Sequence, residues 1–136
     1  MEDGPSRPVP AVDEHSRAFW SGGALGQLLI ARCSSCERLF HPPGPVCPRC
    51  SEGDVDFVAV SGRGEIDAHT VVKRPWIPGY EVPYVVARIR LSEQRDVVLV
   101  ANIVECDPHD LRAGMAVEVL FERRQDVFVP MFRPSL

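Results

Sequence analysis

Two Cys-x-x-Cys pairs constrain this chain more than any other feature. Cys33-Ser34-Ser35-Cys36 is followed, ten residues on, by Cys47-Pro48-Arg49-Cys50, so four of the five cysteines fall within eighteen residues. Each pair can aim two thiolates at one point, and two such turns complete a tetrahedral four-sulfur shell suited to Zn²⁺. A redox Cys-x-x-Cys has no need of a second pair. Two disulfides would require an oxidising compartment, for which no signal sequence argues. The spacing therefore predicts a structural Zn²⁺ held by Cys33, Cys36, Cys47 and Cys50. A closed four-cysteine shell leaves no open position for water or substrate, so the metal staples a short segment and any chemistry lies elsewhere.

At 136 residues there is room for one ordinary domain, or for a small domain with a metal-stapled appendage. The net charge of −4 gives no reason for attraction to a polyanion. Lys73 is the single lysine among 15 basic residues, an arginine bias most simply set by a GC-rich genome. No apolar run approaches ~18 residues, and the Met1-Glu2-Asp3-Gly4-Pro5 start is no signal sequence. The expectation is a cytoplasmic chain without membrane contact. Cys106, the odd cysteine, reads as a buried free thiol.

Residues 1–12 hold three prolines in a mostly polar setting and are expected to form a disordered arm. Asp13 is placed to cap a helix from Glu14 to Trp20, with Gly22-Gly23 as its stop. Phe19 and Trp20 make an aromatic knob at its end, which either packs on the body of the protein or docks on a partner. Leu28 to Arg32 and Leu39 to His41 pair as short strands around the first cysteine turn. Pro42-Pro43-Gly44-Pro45 breaks the chain before the second. Arg32, Arg38 and Arg49 lie beside the thiolates and are expected to offset their excess negative charge. His41 is a bystander. The helix and ribbon are assigned to residues 13–53.

From residue 54 to 136 the pattern changes to strands of period two. Residues 55–74 read as one bent strand, with Gly62 and Gly64 allowing the bend. Residues 75–83 carry three prolines and form a loop. Tyr84 to Leu91 alternates, with Val85, Ala87, Ile89 and Leu91 on one face. Val97 to Val104 is apolar at every position except Asn102, so its outer face needs covering too, by the ribbon, by the N-terminal helix or by a partner. A helical turn follows at Pro108–Leu111. Val117, Val119 and Phe121 share a face of the next strand, and Val127 to Phe132 is the last. Five strands with a helical turn between the third and fourth is the order of an OB-fold barrel. The fold class is thus mainly β: an N-terminal helix and rubredoxin-like zinc ribbon, then a five-stranded OB-fold.

These residues resemble a known family. Phe19-Trp20, Arg32-Cys33-x2-Cys36, Cys47-Pro48-x-Cys50, Gly62-x-Gly64, Pro83-Tyr84-Val85-Val86-Ala87 and Leu111-x2-Gly114-Met115-x-Val117 match, in order, rubredoxin-like zinc ribbons fused to acyl-CoA-associated OB-folds. This family was formerly a domain of unknown function. The resemblance implies a non-catalytic accessory subunit that binds and stabilises a thiolase-fold enzyme of retro-aldolase or thiolase type. It also implies acyl-CoA thioester substrates, in bacterial steroid side-chain degradation, and a hetero-oligomer in which the partner carries the catalytic residues. An enoyl-CoA hydratase is the alternative partner. Where the family ribbon has an aromatic-Pro-Pro-Arg turn, this chain has Phe40-His41-Pro42-Pro43-Gly44. The arginine of a phosphate contact is absent there.

The residues themselves hold no nucleophile elbow, no zinc-protease helix motif and no phosphate loop beside a helix. For ligand binding, the loop from Lys73 to Pro83 is the candidate. Arg74 would meet a CoA phosphate, with Trp76 or Tyr80 stacked on adenine, unless those rings only cover the barrel end. A nucleic-acid-binding zinc-ribbon OB module is the competing class, because Lys73-Arg74-Pro75-Trp76 falls in a loop that OB-folds use for binding, with Arg88 and Arg90 continuing a basic track. The acidic balance argues against it.

Overall fold

The computed structural model describes residues 8–135. Most of the expected disordered arm lies outside the described residues; Pro8 to Val12 are without helix or strand, and the Pro8 carbonyl accepts a bond from Arg124 Nη1 at 3.3 Å. Asp13 acts as a cap, but of a turn: its Oδ1 accepts from the His15 and Ser16 N–H groups at 3.0 and 2.8 Å. The helix α1 therefore starts three residues later than expected, at Arg17–Ser21. The helix stops where expected, with Gly22 as its C-cap. The two glycines then open a 3₁₀ turn, Gly22–Leu25, which ends at Gly26 with φ +71°.

Strand β1 (Leu28–Cys33) is the centre of a three-stranded sheet. On one side it pairs briefly with β2 (Leu39–Phe40), and on the other along its whole length with β3 (Val55–Val60), from Leu28↔Val60 to Cys33↔Val55. The stretch expected to be one bent strand is therefore two strands in two sheets. β3 completes the ribbon sheet, and β4 (Arg63–Val72) opens the barrel. The break falls at Ser61-Gly62, where Gly62 has φ +79° and a Cβ would meet Val119 Cγ1 at 2.4 Å.

The barrel closes in the order β4-β5-β6-β8-β7, with β5 Tyr84–Leu91, β6 Val98–Ile103, β7 Ala116–Arg124 and β8 Val127–Pro134. β7 returns to β4 at Gly64↔Val117, and a 3₁₀ turn at Pro108–Asp110 lies between β6 and β7. This is the OB-fold order. The alternating face of β5 fills the interior: Val85, Ala87, Ile89 and Leu91 are all buried, with Ile66, Leu99, Val117 and Phe132. Phe19, Leu28 and Ile30 belong to the same core, so helix and ribbon share an apolar contact with the barrel. A second, smaller cluster of Ala31, Cys33, Phe40 and Cys47 surrounds the cysteines. Cys106 is half-buried rather than buried, and burial followed by the nearby Asp110 and Asp107 charges pushes its thiol pKa up.

Gly64 sits where the barrel backbone leaves no room for a side chain. A Cβ there would lie 2.4 Å from the Arg90 carbonyl oxygen, a backbone atom that cannot swing aside. Gly64→Ala should cost about 2 kcal/mol, as overpacking does, measured as a lower urea midpoint at unchanged slope.

Candidate functional site

The first cysteine turn leaves the end of β1, and the second follows the proline-rich break. Folding brings all four Sγ atoms within 4.8 Å of one another. Cys33 and Cys50 sulfurs are 3.5 Å apart, and those of Cys36 and Cys47 3.8 Å. Neither distance is a disulfide, which holds sulfurs at about 2.05 Å. Both match a tetrahedron of thiolates about 2.3 Å from a central zinc, whose edges are about 3.8 Å. Backbone donors complete the set: Cys36 N–H points at Cys33 Sγ at 3.5 Å, and Arg49 N–H at Cys47 Sγ at 3.4 Å. Such donors favour thiolate over thiol: the Cys36 N–H lowers the pKa of Cys33, and the Cys50 N–H, followed by that of Arg49, lowers the pKa of Cys47. The donor set, its spacing and its hydrogen bonding all fit a resident metal.

The neighbouring arginines do something other than expected. Arg38 Nη2 and Arg49 Nη2 reach Asp96 Oδ2 at 2.6 and 3.5 Å, and Arg32 pairs with Glu37 at 3.6 Å. Gln94 adds a two-way bond to the Leu39 backbone, at 3.0 and 2.7 Å. Their guanidinium groups thus pair with carboxylates; Arg38 and Arg49, with Gln94, tie the ribbon hairpin to the turn between β5 and β6. Sequence reasoning missed this because Asp96 is nearly fifty residues or more from either arginine.

The other proposed site residues lie in two places. Arg74 and Trp76 sit on the loop between β4 and β5, where Trp76 is 75% exposed; Tyr80 on that loop packs edge-on against Tyr84 at 5.9 Å. A concavity of about 640 Å³ under this loop is lined by Lys73, Val82, Pro83 and His109, and by none of those three. His109 is exposed and bonded to Asp107 at 3.0 Å. Phe19 and Trp20 do not line that concavity. Phe19 is 5% exposed and part of the core, while Trp20 is half-buried and edge-on to it at 4.8 Å.

Trp20 borders a groove of about 490 Å³ between α1, the Pro42-Pro43 turn and β6. Its lining is mainly apolar and includes Val100, which is 69% exposed. The outer face of β6 is thus approached by helix and ribbon but left uncovered. His41 lies in the wall against the Phe19 ring at 4.8 Å, and its buried Nδ1 has no hydrogen-bond partner. Burial pushes the imidazole pKa down from 6.5 to about 4. The unfolded chain therefore takes up this proton first, and folding stability should fall as pH drops from about 6.5 towards 4. Comparing urea midpoints at pH 7 and pH 5 in the wild type and in His41→Phe checks this. The variant should lose less stability between the two.

Fold and site together define a rubredoxin-like ribbon with a four-cysteine metal knuckle, joined to an OB-fold barrel. Residues 20–56 match the family described as ChsH2, rubredoxin-like zinc ribbon domain, and residues 57–122 the family described as ChsH2, C-terminal OB-fold domain. In the solved structure of an Ltp2-ChsH2(DUF35) aldolase, a chain 34% identical superposes with a TM-score of 0.84, over 94% of this chain and 100% of that one. The chain belongs to this ChsH2/DUF35 family. Among curated relatives, a probable enoyl-CoA hydratase alpha subunit of Thermomonospora curvata is 36% identical over 96% of this chain. The 3-oxo-4,17-pregnadiene-20-carboxyl-CoA hydratase alpha subunit of Mycobacterium tuberculosis is 30% identical over 82% of it. The chain spans 40% and 35% of the length of these two relatives. Among the described residues, no helix is long and apolar enough to cross a membrane.

Proposed function

We propose that this chain is a non-catalytic accessory subunit, or accessory domain, of an enzyme acting on acyl-CoA thioesters. Its partner is a thiolase-fold protein of retro-aldolase type, and steroid side-chain acyl-CoA is the substrate class. The observation that carries this reading is the 34% identical match over the whole length of a chain from an aldolase assembly. The hydratase relatives supply a second reading, in which the partner is an enoyl-CoA hydratase. In either case Cys33, Cys36, Cys47 and Cys50 would hold Zn²⁺, which supplies cross-linking of the ribbon and no reaction step. The chain's own contribution is to present α1, the ribbon hairpin and the outer barrel face to the partner. Arg74, Trp76 and Tyr80 remain the residues proposed to reach CoA if the acyl-CoA site extends onto this chain.

The nucleic-acid reading loses its basic track. Arg88 Nε and Arg90 Nε both donate to Asp67, at 3.1 and 3.0 Å, and these bonds hold that carboxyl below the usual range, with Arg88 the larger cause. Two of the cations that would meet phosphates are already partnered across the strand pair. With a net charge of −4, little remains for a phosphate backbone.

The test is purification of the tagged chain from its source organism, with mass spectrometry of what accompanies it. The expected companion is an acyl-CoA enzyme in stoichiometric amount, and its fold separates the aldolase from the hydratase reading. Recovery of no thiolase-like or hydratase-like protein overturns both.

A further inference from the structure

The barrel wall has a seam. β5 and β6 pair along Ile89↔Leu99, Ala87↔Ala101 and Val85↔Ile103, and Leu91 N–H donates to Val97 C=O at 3.1 Å. Antiparallel ladders alternate, so the odd-numbered residues of β6 bond to β5. The backbone groups of Val98, Val100 and Asn102 face the other way, towards β8. There, among the described residues, the pairing is a single bridge, Ile103↔Phe132, with Val104 N–H donating to Phe132 C=O at 2.8 Å. The next rung would need an N–H from residue 130. That residue is Pro130, which has none. The ladder stops, and Val100 keeps both N–H and C=O directed at the open seam.

The same stretch lines the apolar groove beside Trp20 and Pro43. Two charged residues line it, and both are engaged: Asp13 in its own turn, Arg124 with Glu122 at 2.6 Å and with the Pro8 carbonyl. The groove therefore offers no free cation to a phosphate or carboxylate. What it offers is the seam-facing backbone groups of β6 and an apolar wall. These are the requirements of an extended peptide, which hydrogen-bonds through its main chain and buries alternate side chains.

We propose that the seam between β6 and β8 takes an extended, uncharged segment of the partner subunit as an added strand on β6, paired at Val98 and Val100 and packed against Trp20. This rests on the accessory-subunit reading and says which edge of the chain the partner uses. The test is residue-resolved amide hydrogen exchange on the free chain and on the co-purified complex. Val98 and Val100 should exchange freely in the free chain and slow by roughly tenfold or more in the complex. Val100→Pro removes the seam-facing N–H without touching a β5–β6 rung, and should weaken association about tenfold or more. Val100→Thr keeps that N–H and should bind nearly as the wild type does.

Protection confined to other regions, such as the loop from Lys73 to Pro83, overturns the proposal and leaves the partner reading standing. Protection of Val98 and Val100 by added acyl-CoA alone, or by self-association of the free chain, overturns it in favour of a small ligand or a second copy. A chain that binds no acyl-CoA enzyme overturns both readings. Should Val100→Pro fail to fold, the exchange measurement on the wild-type complex decides.

Discussion

Cys36→Ser should strip the metal from the ribbon and unfold it. The reason is the small size of what surrounds the site: the local cluster has four buried residues, two of them cysteines, and β2 is two residues long. A segment of that size cannot offset its own backbone ordering, which costs about 1–2 kcal/mol per residue. A structural zinc contributes on the order of 10 kcal/mol to the folding of such a unit. With one thiolate replaced, the zinc content measured after a chelator challenge should fall from about one per chain to near none. The amides between Cys33 and Asp54 should lose protection while those of β4 and β5 keep theirs. The partner complex should be lost as well, because the hairpin that carries His41 and Pro42 would no longer be held beside β6. Zinc remaining near one per chain would show that the four-sulfur assignment is wrong.

Phe132→Ala should be the most damaging single change in the barrel. Phe132 is fully buried, and it pairs with Val119 on β7 and with Ile103 on β6, so it sits where the barrel closes. Truncating a buried Phe to Ala costs about 3–5 kcal/mol, from lost burial and the cavity left behind. Against a usual domain stability of about 5–15 kcal/mol, that is a large share. The urea midpoint should fall accordingly, while the folded fraction still carries its zinc, because the sulfur cluster lies in a separate core. A loss below about 1 kcal/mol would mean that β8 does not close the barrel, since even modest core truncations reach that value.

What the sequence showed and what it hid follow from the range of the interactions. β5 was legible to the residue, Tyr84–Leu91, because its alternation is local and one face is wholly buried. The four cysteines were legible because their spacing encodes the turns that bring them together. The division of 55–74 was hidden, since Gly62-Arg63-Gly64 permits a bulge or a change of sheet equally well. The decision comes from the free side of β1, which takes Val55–Val60 at a separation that no local pattern reports. The helix start moved because Asp13 satisfies Ser16 in a turn before the helix begins. The groove needed His41, Val100 and Pro130 to meet: the apolar run of Val97 to Val104 signalled an outer face to be covered, and Pro130 stood inside an otherwise regular strand, but neither sign reports the other.

If the chemistry belongs to a partner, it can be read as acyl-CoA turnover by the purified chain alone, by the co-purifying enzyme alone, and by the two mixed in equal amounts. The chain should show no turnover, and the mixture a higher rate or a longer-lived enzyme than the enzyme alone. Turnover by the zinc-loaded chain on its own would contradict it.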